Sequence, residues 1–179
     1  MQTLLSLFVM LTVPLFAQGN IDVDVKTHVD MIVKSLGYDS KLSGGTILVI
    51  SRNSENDNGT KVVDFLSGKS IKNHPVEIFQ TAYVGKSSLD PLLAANVKIN
   101  VIYLCDDLLN NQLKEIGDFC YQNKIITATG VSSFVEQGYA CFSVTLENDK
   151  PKLVVNLNKM KDEGHQFSAS YLKMAKIIQ

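Results

Sequence analysis

The chain's pattern predicts an α/β fold: a three-layer αβα sandwich with a mostly parallel, Rossmann-like sheet, closed by a C-terminal antiparallel hairpin and a last helix. Three observations carry this expectation. Short β-branched runs alternate with helical runs up to Gly130, and such alternation gives a parallel sheet with helices on both faces. The strand runs are almost continuously apolar, as strands covered on both faces are. After Gly130 the habit changes, and two strand-like segments flank Asn148-Asp149, a usable turn.

The elements follow in order. Val25, Val29, Ile32, Val33 and Leu36 fall at helical spacing, with Gly37 as the stop. Thr46 to Ser51 (TILVIS) reads as a buried strand, and NSENDNGT as loop chemistry. KVVDFLSG is a short helix ending at Gly68, and His74 to Tyr83 is a strand entered through Pro75. SSLDPLLAAN is a brief helix with Pro91 in its first turn. Val97 to Cys105 is the most apolar strand, and the following run places Leu109, Leu113, Ile116 and Cys120 on one helix face. Lys124 to Gly130 is a strand running into a turn. YACFSVTLE and KLVVNL form the hairpin, and HQFSASYLKMAKII closes the chain as a helix burying Phe167, Tyr171, Met174 and Ile178.

Size and composition bound the function. The 179 residues, 45% of them apolar, suffice for one domain with a core. A net charge of −1 gives no general reason to bind nucleic acid or an anionic membrane surface. The run from Leu4 to Ala17 is too short and too Pro-interrupted to span a bilayer comfortably. It reads as the apolar region of a signal peptide, 1–17, cleaved after Ala17, although no Lys or Arg precedes it. The expectation is an exported, periplasmic protein with a single domain over 18–179. The three cysteines, Cys105, Cys120 and Cys141, are an odd number, so at least one lacks an intrachain partner. Cys105 and Cys120 should lie at opposite ends of the sheet, too far apart for a bridge. All three are expected to be small buried hydrophobes.

No catalytic, cofactor or metal residues emerge. The triplets Gly68-Lys69-Ser70 and Gly85-Lys86-Ser87 lack the earlier glycine of a phosphate loop, where Val63 and Gln80 stand. Asp106-Asp107 follows a central strand, where open α/β sheets place ligands. A receiver-type phospho-acceptor would need acidic partners after the first strand, and Ser51-Arg52-Asn53 stands there. The pair is therefore expected to cap the helix beginning near Leu108. His28, expected to be partly exposed, His74 and His165 are far apart in the chain and out of metal-site spacing. There is no nucleophile elbow. The chain is expected not to be an enzyme.

The stretch from Gly138 to Ile178, GYACFSVTLENDKPKLVVNLNKMKDEGHQFSASYLKMAKII, resembles the tail of the YfiR-like (HmsC-like) family of exported bacterial regulators. The matching positions are Gly138, Asn156, Gly164, Phe167, Ser168, Leu172 and Ala175, and TILVISRN, VEIFQTAY, VIYLCDD and IITATG occur in the family's strand order. The chain departs from the family in having no Trp, and its cysteines do not match the disulfides of the best-known member. The resemblance implies a periplasmic protein that represses the periplasmic part of an inner-membrane sensor, typically a diguanylate cyclase in cyclic-di-GMP signalling. The alternative is a small-ligand-binding or sensor component acting with a histidine kinase, using the crevice near Asp106 and Gly130. A homodimer is compatible with either. The hairpin surface and the first helix are the expected interface, with no single residue singled out, and the hairpin edge is open to a partner strand.

Overall fold

A computed structural model describes residues 21–89 and 96–179. The signal-peptide reading and most of the brief helix expected over 87–96 lie outside the described residues. The first helix, α1 (Val25–Leu36), starts where the Asp24 carboxylate accepts the Thr27 N–H at 3.0 Å. It leads to β1 (Thr46–Ser51) and α2 (Asp57–Leu66), which is capped by the Asn56 side chain. The helix thus begins inside the stretch expected to be loop, because Asn56 can accept the Gly59 N–H at 2.6 Å. Two short strands, β2 (Ser70–Ile71) and β3 (His74–Pro75), make a side ribbon before β4 (Glu77–Ala82). A 3₁₀ turn covers Lys86–Ser88. The chain continues with β5 (Val101–Leu104), α3 (Asn110–Asn123), β6 (Ile126–Thr129) and the short α4 (Ser132–Glu136). It ends with β7 (Phe142–Glu147), β8 (Lys150–Asn156), α5 (Leu157–Asp162), α6 (Ala169–Leu172) and β9 (Lys176–Ile178).

The seven main strands run in the order β4-β1-β5-β6-β7-β8-β9. β4, β1, β5, β6 and β7 are parallel, β8 returns antiparallel to β7, and β9 lies parallel to β8. Alternation within the central strands sorts side chains into two cores. Ile47, Val49, Val101 and Tyr103 pack with Val29, Ile32 and Leu36 of α1 and Val62 and Leu66 of α2. Leu48, Ile50, Ile102 and Leu104 pack with Leu113, Ile116 and Cys120 of α3 and Phe134 and Val135 of α4. Both faces of the sheet are covered, and the α/β layering expected from the sequence holds. The hairpin turn is of the type that right-handed strand twist favours, since Asn148 and Asp149 both take positive φ, 51° and 58°.

Two expectations about the C-terminus fail. The closing helix shrinks to a single turn, started by the Ser168 hydroxyl accepting the Tyr171 N–H. The chain then straightens, and Lys176–Ile178 pairs with Val154–Asn156. An unpaired edge beside β8 and the β-branched pair Ile177-Ile178 outweigh the helical spacing. Phe167 and Tyr171 are buried as expected, whereas Met174 is exposed. The hairpin edge is also not open along its whole length, because β9 covers the last three residues of β8.

Candidate functional site

The chain leaves β1 towards β4 on one side, and from β5 proceeds to β6 and β7 on the other. The C-terminal ends of β1 and β5 therefore form the switch point where open α/β sheets bind ligands. Asp106 and Asp107 stand there, but not as helix caps. The helix starts later, at Asn110, and the Leu109 N–H is accepted by Gln112 Oε1 at 3.0 Å. Asp107 instead accepts the N–H groups of Arg52 and Asn53, each at 3.0 Å. Asp106 accepts the side-chain amides of Asn56 at 3.3 Å and Asn58 at 2.8 Å. Asp107 thus holds the start of the loop between β1 and α2, and Asp106 holds the cap and first turn of α2. Among the described residues there is no cluster of His, Cys, Asp and Glu able to hold a metal.

Next to this crevice, His28 is fully buried, contrary to the expected partial exposure. Its Nε2 lies 2.7 Å from the Tyr103 hydroxyl and its Nδ1 3.4 Å from the Val23 carbonyl oxygen. Burial pushes its pKa down. The neutral ring donates from Nδ1 and accepts at Nε2, pinning α1 to β5. Gly130 makes room for this pair, since a Cβ there would lie 2.9 Å from both His28 Cε1 and the Tyr103 hydroxyl. The three cysteines are free and buried, as expected. Cys105 packs on the α1 side of the sheet and Cys120 on the α3 side. Burial raises all three thiols well above their ordinary range, which makes them poor nucleophiles. Lys69 of the first Gly-Lys-Ser triplet is spent on an ion pair with Asp30 at 2.5 Å.

A second polar cluster, absent from the sequence reading, lies at the opposite end of the sheet. His165 faces Asp39 Oδ2 through Nδ1 at 2.5 Å and the Lys124 carbonyl through Nε2 at 3.0 Å. Both neighbours are acceptors, so only the doubly protonated ring satisfies both. Burial pushes the His165 pKa down, but the hydrogen bond and charge of Asp39 outweigh it and hold it above the ordinary value. Burial likewise raises Asp39, and His165 with the N–H groups of Lys41 and Gln166 brings it below the usual carboxylate range. Nearby, Glu163 is fully buried and accepts both the N–H and the hydroxyl of Thr127 at 2.8 Å, with Lys159 Nζ at 3.4 Å. Desolvation raises its pKa to about 7 despite those partners. Asp39 and His165 are 126 residues apart, and no local pattern links them.

On the surface, Met31 and Tyr38 from α1 and its C-terminal turn meet Pro151 and Leu153 of β8 and Tyr171 and Met174, lining a groove of about 390 Å³. Tyr38 stacks on Tyr171 with ring centroids 4.5 Å apart. This groove joins the first helix to the hairpin.

Comparison with solved structures shows what the fold is similar to. An ABC domain in complex with L-Trp from Streptococcus pneumonia superposes with a TM-score of 0.61 at 17% identity. A conserved domain protein from Vibrio cholerae gives 0.61 at 16%, and a ligand-free, open substrate binding protein with adhesive properties from Clostridium difficile gives 0.60 at 16%. These alignments cover 86%, 87% and 88% of this chain but 60% of each of those chains. At such identity the likeness is one of fold. No curated protein matches the chain significantly. The family model described as YfiR/HmsC-like matches residues 39–176, from the turn after α1 to the first residue of β9, and the chain belongs to that family.

Proposed function

We propose that this protein is an exported, periplasmic regulator that binds the periplasmic part of an inner-membrane signalling protein, in the first instance a diguanylate cyclase, and holds it inactive without chemistry of its own. Family membership over residues 39–176 is the observation that carries the reading. The geometry supports it. The carboxylates at the switch point are occupied by the chain's own amides, the thiols are buried and protonated, and His28 is neutral and enclosed. No helix among the described residues is long and apolar enough to cross a membrane. The part left for function is surface, and exposed apolar side chains such as Tyr38, Leu146 and Met174 suit contact with another polypeptide.

Deleting the gene and measuring cellular cyclic-di-GMP tests this. Repression predicts a rise, reversed by supplying the protein with its leader. An unchanged level in the deletion strain, under conditions where the protein is made, would contradict it.

A further inference from the structure

At the N-terminal ends of β1, β5 and β6 a cleft of about 530 Å³ opens, on the opposite side of the sheet from the switch point. Its charged lining is of one sign: Lys41, Lys98 and Lys124, with His165 behind and no carboxylate side chain among the lining residues. None of the three lysines is in a salt bridge among the described residues. Lys98 rests on the Ser43 hydroxyl at 3.1 Å, and Lys124 on the Asp162 carbonyl at 3.0 Å and over the Tyr121 ring. Of the acids closest in sequence to the lining, Asp39 is committed to His165 and Glu163 to Thr127 and Lys159, while the exposed Asp162 meets Lys124 through its carbonyl and its carboxylate is not part of the lining.

The cleft also holds a neutral donor. Asn100 is 9% exposed and lines the cleft. Its Oδ1 accepts the Thr46 N–H at 3.2 Å, which fixes the orientation of the carboxamide. Its Nδ2 makes no hydrogen bond among the described residues and is not shut off from solvent, so it is free to donate to an occupant of the cleft. The Ser43 hydroxyl accepts from Lys98 and so keeps its own proton to donate. Unpaired cations with spare N–H and O–H donors beside them are what an oxyanion needs.

We propose that this cleft binds a small oxyanion carrying two or more negative charges, held by Lys41, Lys98, Lys124 and Ser43 at the rim and by Asn100 within. Phosphate and carboxylate ligands share that chemistry. The occupant would add a soluble signal to a protein otherwise read as a docking module, and the inference stands independently of the docking partner.

Isothermal titration of the purified protein with pyrophosphate in one arm and citrate in the other, at constant ionic strength, tests it. Saturable binding to at least one probe is expected, and the responding arm assigns the phosphate or carboxylate source. Two variants separate a built site from a merely basic surface. Lys41→Gln/Lys98→Gln/Lys124→Gln should weaken binding about tenfold or more. Asn100→Asp keeps an acceptor for Thr46 and replaces the inward donor with an acceptor oxygen, and should also weaken binding about tenfold or more. Absence of saturation with both probes overturns the proposal. So does an Asn100→Asp variant that binds as tightly as the wild type.

Discussion

Glu163→Gln is the substitution whose effect the structure prescribes most closely. Glu163 sits at the end of α5 with no exposed surface, and burial raises its pKa from 4.5 to about 7. The native state therefore keeps the proton to higher pH than the unfolded chain does. Stability is greatest below about pH 4.5 as far as this group is concerned, falls as pH rises towards about 7, and levels off above. About two and a half pH units at about 1.4 kcal/mol each give a loss of about 3 kcal/mol across that window. Glutamine keeps an oxygen for the Thr127 N–H and cannot titrate. Chemical unfolding followed by circular dichroism at a series of pH values should show the variant gaining on the wild type by up to about 3 kcal/mol from pH 4.5 to 7. His165 and Asp39 titrate in both proteins, so the difference between the curves isolates Glu163 apart from its own effect on His165. Stability curves that run parallel through this window would refute the reasoning.

Three further outcomes are expected. Gly130→Ala places a methyl 2.9 Å from His28 and Tyr103, two buried rings bonded to each other, and should cost about 1–3 kcal/mol in unfolding free energy. Asp107→Ala removes the acceptor for the Arg52 and Asn53 N–H groups. It should cost about 1–2 kcal/mol and speed amide exchange in the β1–α2 loop more than in β1 itself. Cys105, Cys120 and Cys141 should resist a thiol reagent in the native state and react together on unfolding, with oxidants leaving the melting temperature unchanged.

What the sequence made legible was whatever is local. Thr46–Ser51 is a strand because its β-branched run can be buried on both faces, and Asn148-Asp149 is a hairpin turn because both residues tolerate positive φ. The helix face of Leu113, Ile116 and Cys120 was readable from its spacing. Short elements were not: α4 has five residues and α5 six, too few to show a period. β9 was hidden because its spacing also fits a helix, and only the free edge of β8 decides between them. The same limit governed the polar residues. Asp106 and Asp107 stood out, but proximity in sequence suggested a cap on the next helix, whereas their partners lie some fifty residues earlier. Glu163 reads as an ordinary charged residue in KDEG, and its burial comes from packing against Thr127, 36 residues earlier.

The central claim is that this domain works by holding a membrane-bound signalling protein from the periplasmic side. A photoreactive residue placed at Tyr38 or Met174, both exposed and beside the hairpin, should yield in living cells an adduct with an inner-membrane protein that has a periplasmic segment and a cytoplasmic signalling domain. The isolated periplasmic segment of that protein should then bind the purified domain saturably. Failure of that segment to bind, or adducts confined to proteins without a signalling domain, would contradict the account.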